Sequence, residues 1–178
     1  MSVNLKKLKE LYTEGNEEYY GESVTKTQHM LQCATMAKKN EERDEIILAC
    51  LLHDVGHFLE EDDMDGYGVK DNGKIGAKYL KELGFNKNIY KLVEKHTDAK
   101  RYLVTKKLNN YYDKLSEVSK KTFEYQGGKM SSEELKKMDR NNRLMDIIKV
   151  RQYGDRGNNP NKGPYKIETF IPLLEKYI

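Results

Sequence analysis

Apolar side chains recur at intervals of three and four along most of this chain, the period of helices that each bury one face. Leu5, Leu8, Leu11 and Tyr12 begin the pattern, with Gly15 as a natural stop. His29, Met30, Cys33, Met36 and Ala37 carry it through a second helix that Thr25 can cap. Ile46, Ile47, Cys50, Leu51 and Asp54 place a third over roughly 42–60, ended by the acidic loop "EEDDMDGYG". A fourth runs from Gly73 to Leu83, and Ile89, Leu92, Val93 and His96 define a fifth, followed by "AKRYL". "LSEVSKKTFEYQGG" begins like a capped helix, Ser131 and Glu134 form a capping box, and "IETFIPLLEKYI" closes the chain as a short apolar helix. Alternating β-branched runs are nearly absent and nothing repeats. The expected fold class is all-α, a single helical bundle over residues 1–178, a length that suits one domain.

Composition narrows the partners. Charged residues make up 34% and hydrophobic ones 37%, which fits helices with a solvated exterior rather than a disordered chain. The 32 basic and 29 acidic residues are interspersed, so a net charge of +3 exerts no long-range pull toward nucleic acid or a membrane surface. There is neither a signal peptide nor a run of 18 apolar residues, and Cys33 and Cys50 sit within apolar stripes. They read as reduced core thiols of a cytoplasmic protein.

Only four histidines occur, and His29, His53 and His96 each fall on the inner face of a different expected helix, with Asp54 beside one of them. A single inward histidine is usually satisfied by a backbone carbonyl. Three on converging helices, next to a carboxylate, ask for more. An unpaired buried carboxylate costs several kcal/mol, on the order of a lost charge-assisted contact or greater. Neutral imidazoles bind iron, manganese or zinc, so a metal satisfies both demands. Imidazole and carboxylate without thiolate fit a catalytic metal with open positions, of unspecified identity.

"LLHDVGH" is similar to the hallmark of the HD-domain superfamily, most of whose members are metal-dependent phosphohydrolases. One branch uses two irons to activate oxygen and includes inositol oxygenases and phosphonate oxygenases. "YYGESVTKTQHMLQ", "LLHDVGHF", "IGAKYLKELGF", "HTDAKRYL", "LSEVSKKTFEYQGGKMSSEE" and "VRQYGDRGN" resemble, in order, the successive blocks of the phosphonate-cleaving branch, over residues 19–158. The resemblance implies two irons held by His29, His53, Asp54 and His96, with Asp54 bridging them and His57 as a catalytic donor beside them. It implies a phosphonate group bound by Lys100, Ser119, Thr122 and Arg151, and a substrate loop carrying Tyr19 and Glu22. Two positions depart from the family pattern: Asn72 stands where a histidine is usual and Gly154 where an aspartate is usual. Asp71 is adjacent to the first. Asp155 is the candidate ligand at the second, although one helical step rotates a side chain by about 100° and a break near Gly154 and Gly157 would be needed.

Three functions follow from this. The leading one is an iron-dependent oxygenase that cleaves the carbon–phosphorus bond of a small hydroxylated, amino-bearing organophosphonate, with O2 as co-substrate. The second is an HD phosphohydrolase acting on a nucleotide or phosphate ester. The third is a metal-poor, non-catalytic binder of phosphonate or phosphate, favoured by Asn72 and Gly154.

Overall fold

The computed structural model describes residues 1–13 and 18–178. These residues form α1 (Val3–Thr13), α2 (Lys26–Lys39), α3 (Asp44–Leu52), α4 (Asn72–Glu82), α5 (Lys87–Thr105), α6 (Glu117–Tyr125), α7 (Ser132–Asp139), α8 (Leu144–Arg156) and α9 (Ile171–Glu175). Short 3-10 turns occupy Val55–Phe58, Leu108–Lys114 and Ile167–Phe170, and no strand occurs among the described residues. The all-α expectation holds. The stop expected at Gly15 lies outside the described residues.

The core forms where α2, α3, α5 and α8 meet, with α4 laid along α5. Met30, Leu48, Leu52, Val93 and Val150 are fully buried there, each such side chain contributing about 1.5–3 kcal/mol of transfer free energy. Cys33 and Cys50 are buried and unpaired, as the sequence implied. Helix starts follow the expected chemistry. Thr25 Oγ1 accepts from the Gln28 N–H at 3.1 Å, Ser116 Oγ from the Ser119 N–H at 3.0 Å, and Ser131 and Glu134 form the reciprocal capping box.

Two boundaries differ from the sequence reading, and both shape the site. The third helix does not reach residue 60; α3 ends at Leu52, and the chain turns at Asp54 (φ −103°, ψ 9°) into the 3-10 turn. A β-carbon on Gly56 would lie 1.9 Å from the Asn72 carbonyl oxygen, so this turn packs backbone to backbone on the start of α4. That tertiary contact ends the helix although the apolar run continues. Because the helix breaks, the adjacent His53 and Asp54 face one cavity instead of diverging by about 100°. The fifth helix, in contrast, continues through "AKRYL" to Thr105, since neither glycine nor proline interrupts it. His96 and Lys100 are therefore one turn apart on one face.

Candidate metal centre

Three histidines enter the core with the same orientation. His29 Nδ1 lies 3.0 Å from the Gly157 carbonyl, His53 Nδ1 2.8 Å from that of Cys50, and His96 Nδ1 2.7 Å from that of Val93. A carbonyl only accepts, so each Nδ1 carries the hydrogen and each neutral ring presents a bare Nε2 lone pair. All three lone pairs point inward. His29 Nε2 and His53 Nε2 are 3.0 Å apart, and both are 3.5 Å from Asp54 Oδ2; His96 Nε2 is 3.1 Å from Asp54 Oδ1. Two lone pairs facing at that distance repel unless a cation lies between them. Nitrogens bound to one ion at about 2.1 Å and at right angles are separated by about 3.0 Å, so the spacing fits a metal.

The ring chemistry agrees with ligand duty. Burial holds His29 well below the usual imidazole range, with His53 adding to the effect, and burial lowers His53 to about 4. Both rings are neutral at neutral pH. Burial alone would raise the Asp54 carboxyl, but the Lys26 ammonium leads the effects that outweigh it and hold it well below the carboxylate range. Asp54 is a buried anion under convergent lone pairs.

His57 is oriented differently. Its Nδ1 accepts from the Val69 N–H at 2.9 Å, which leaves the hydrogen on Nε2, 3.7 Å from Asp54 Oδ1. Burial lowers this ring to about 3. His57 therefore faces the cluster as a neutral donor, not as a lone pair. Cys33 also lies near, its sulfur within 4.8 Å of donor atoms of His29 and His53. It sits 4.0 Å from the Nδ1 side of His29, it donates to the Tyr153 carbonyl at 3.2 Å, and burial pushes its thiol pKa well up. A protonated thiol on the wrong side of the ring is not part of the donor set.

The two departures from the family pattern are both placed at the cluster. A β-carbon on Gly154 would have His53 Nε2 as its neighbour, at 3.7 Å, so this bare position faces the donors. Asn72 is buried, its Nδ2 donates to the Val69 carbonyl at 2.9 Å, and its Oδ1 is buried without a partner in the cavity wall. Asp71 is exposed. Asp155, expected as a possible ligand, does not join the histidines. Helix α8 runs unbroken through Gly154 to Arg156 and turns Asp155 away. Its Oδ1 lies 2.6 Å from Arg151 Nη2, and its Oδ2 accepts from the Tyr111 hydroxyl at 2.6 Å.

The same cavity, of about 90 Å³, extends from the histidines to a second cluster. Lys100 Nζ donates to Thr122 Oγ1 at 2.8 Å and to the Ser119 carbonyl at 3.2 Å. Arg151 Nη2 reaches Ser119 Oγ at 3.4 Å, while its Nε donates to Tyr111 Oη at 2.9 Å. Burial, and then Arg151, holds Lys100 well below the usual lysine range; for Arg151 the effect of burial is outweighed by Asp155 and Tyr111, which keep it protonated. Two cations and two hydroxyls at one end of the cavity have the chemistry to take a tetrahedral dianion.

Glu22 lines this cavity, and its Oε1 accepts from Ser116 Oγ at 2.8 Å. Tyr19 does not line it; the side chain is 52% exposed, and the neighbouring Tyr20 instead stacks near His57 at 5.3 Å. One residue escaped the sequence reading. Lys26 Nζ lies 3.0 Å from Asp54 Oδ2 and its side chain is 14% exposed. The signal was its position three residues before His29, on the same helical face.

The family model for the HD domain matches residues 27–149, more than half of the chain. The chain belongs to the HD-domain family. This HD-domain protein is 37% identical over 167 residues, 92% of its own length and 84% of the relative's, to the 1-hydroxy-2-(trimethylamino)ethylphosphonate dioxygenase (glycine-betaine-forming) of Leisingera caerulea. It is 34% identical over 150 residues, 82% of its length and 74% of the relative's, to the hydroxymethylphosphonate dioxygenase of Gimesia maris. An uncharacterized protein of Acanthamoeba polyphaga mimivirus is 35% identical over 168 residues, covering 92% and 76% of the two chains. Within the HD family the chain thus groups with proteins named phosphonate dioxygenases, the branch its blocks resemble.

Proposed function

We propose that this HD-domain protein is an iron-dependent oxygenase that cleaves the carbon–phosphorus bond of a small 1-hydroxyalkylphosphonate and releases phosphate. The observation that carries the reading is the continuity of one cavity, with metal-ligand donors at one end and Lys100, Ser119, Thr122 and Arg151 at the other. The relatives named as dioxygenases of two different hydroxyphosphonates support the choice of reaction.

The overall chemistry closes without an outside reductant. R–CH(OH)–PO3H2 and O2 give R–COOH and H3PO4; the carbon–phosphorus and carbon–hydrogen bonds break, and the substrate supplies all four electrons that O2 accepts. His29, His53, His96 and Asp54 would hold the iron, which would supply the activation of O2. Lys100 and Arg151 bind the dianion, and the hydroxyls of Ser119 and Thr122 orient its oxygens. Asp155 and Tyr111 fix the guanidinium of Arg151 from behind. His57 holds its Nε2 hydrogen toward Asp54 and steadies that carboxylate. Glu22 is placed to accept a hydrogen bond from an amino or hydroxyl group of the substrate. Burial of the donor cluster keeps bulk water from the reacting carbon.

The test is anaerobic loading with ferrous iron, followed by phosphate release from hydroxymethylphosphonate and 1-hydroxy-2-aminoethylphosphonate with and without O2. Oxygen-dependent release is expected. Oxygen-independent release from phosphate esters, and none from phosphonates, would establish the hydrolase reading instead.

A further inference from the structure

The charge and donor count of the histidine cluster do not suit two metal ions. The lone pairs present are three imidazole nitrogens and the two oxygens of Asp54. On the His29 and His53 side the facing wall is Gly154, whose missing side chain would start 3.7 Å from His53 Nε2. Near His96, whose Cε1 would be 3.4 Å from a β-carbon on Gly73, the adjacent Asn72 in the cavity wall offers a neutral Oδ1. Neither position brings a negative charge or an imidazole.

Among the described residues that line the cavity, three carry carboxylates, and two of these are engaged elsewhere. Glu22 accepts from Ser116, and Asp155 is held by Arg151 and Tyr111. Asp54 is the single anion left for the cluster. It already has a cation: Lys26 Nζ stands 3.0 Å from the same Oδ2 that faces His29 and His53 at 3.5 Å. Lys100 and Arg151 add further positive charge along the cavity. A second divalent ion would share a carboxylate whose charge an ammonium already offsets, among buried donors where like charges repel strongly.

We propose that Lys26 is a built-in second cation, and that this centre holds one metal ion, coordinated by His29, His53, His96 and Asp54. The inference rests on the metal-binding reading above. It leaves the proposed reaction feasible, because the substrate supplies every electron that O2 needs.

The test counts metal in the whole chain after anaerobic ferrous loading and desalting, in wild type, Gly154→Asp, and Gly154→Asp combined with Lys26→Gln. The expected result is one iron per chain in wild type and in Gly154→Asp, where Lys26 still occupies the second charge position, and two in the double variant. Two irons in wild type or in Gly154→Asp alone would overturn the proposal, as would one iron in the folded double variant. No iron in wild type would overturn both the count and the ligand assignment. If Gly154→Asp does not fold, Asn72→His with and without Lys26→Gln makes the same comparison. Phosphate release from hydroxymethylphosphonate, run on the same wild-type sample, separates the two claims. One iron without turnover refutes the reaction and sustains the count, whereas two irons with turnover do the reverse.

Discussion

Replacing Lys100 with methionine should stabilise the protein and impair it at once. Lys100 is 2% exposed, and its ammonium is held by a hydroxyl and a carbonyl, with no carboxylate in contact. Removing a charged group from such a site generally orphans its partners, which makes the change costly. Here the partners satisfy each other: the Thr122 hydroxyl also lies 3.2 Å from the Ser119 carbonyl and can donate to it. Methionine keeps the apolar stem packed and removes the desolvated charge. Exchanges of buried ionic groups for apolar ones of similar volume gain about 1–4 kcal/mol, and the lost hydrogen bonds put this site in the lower part, about 1–3 kcal/mol. For a chain of this size that raises Tm by about 2–10 °C.

Anion binding moves the other way. One charge-assisted contact is worth about 1.5–3 kcal/mol, so affinity for inorganic phosphate or methylphosphonate should fall about 10- to 100-fold. In wild type the same affinity should decline as pH rises through the lowered Lys100 pKa, because the ammonium is lost there. Thermal melts of the metal-free protein and calorimetric titration with phosphate check the two halves. A Tm that drops by several degrees, or an unchanged affinity, would refute the reasoning.

Three further outcomes follow from the metal cluster. His53→Ala should lower the iron-to-protein ratio by about tenfold or more, while Lys100→Met leaves it intact; equal loss in both would show that the two ends of the cavity are not separate in role. Gly157→Ala places a β-carbon 2.3 Å from Cys33 Sγ and 3.1 Å from His29 Nδ1, so it should cost about 1–3 kcal/mol and loosen His29; a lower Tm together with reduced iron content is expected, and unchanged iron would disprove that the tight packing orients the ring. In the metal-free chain His53 and His57 are neutral down to about 4 and about 3, whereas in the unfolded chain they take up protons below about 6.5; stability should fall as pH drops through that window, by up to about 1.4 kcal/mol per pH unit for each ring, and flat melts from pH 7 to 4.5 would contradict the burial argument.

The helices that carry the histidines were legible because burial imposes the 3.6-residue period on His29, His53 and His96 as it does on leucine. The end of α3 was not. "CLLHDVGHF" remains apolar past Asp54, and only the packing of Gly56 on the Asn72 carbonyl, a contact between segments distant in sequence, forces the turn. Asp155 is the converse case. A break at Gly154 and Gly157 is what would swing it inward, yet glycine only permits a break, and nothing in the fold requires one. The helix continues, the rotation per residue stands, and Asp155 meets Arg151 four residues earlier, a pairing that local spacing alone would have favoured. Lys26 had the same kind of local signal, but a lysine on a polar turn carries no mark of burial until the fold closes over it.

The separation of the two ends of the cavity is set by helix geometry. Helix α5 carries His96 and Lys100 four residues apart, and α8 carries Arg151 and Gly154 three residues apart, so each helix offers one position to the metal donors and another to the cationic pocket. One turn advances about 5.4 Å along a helix axis. On each helix the two positions therefore lie about one turn apart. Asn72, Gln126 and Glu22 line the rest of this cavity. The unpartnered oxygens of Asn72 and Gln126 accept hydrogen bonds there, which suits a short substrate with a hydroxyl or an amine beside the reacting carbon better than an apolar or anionic extension.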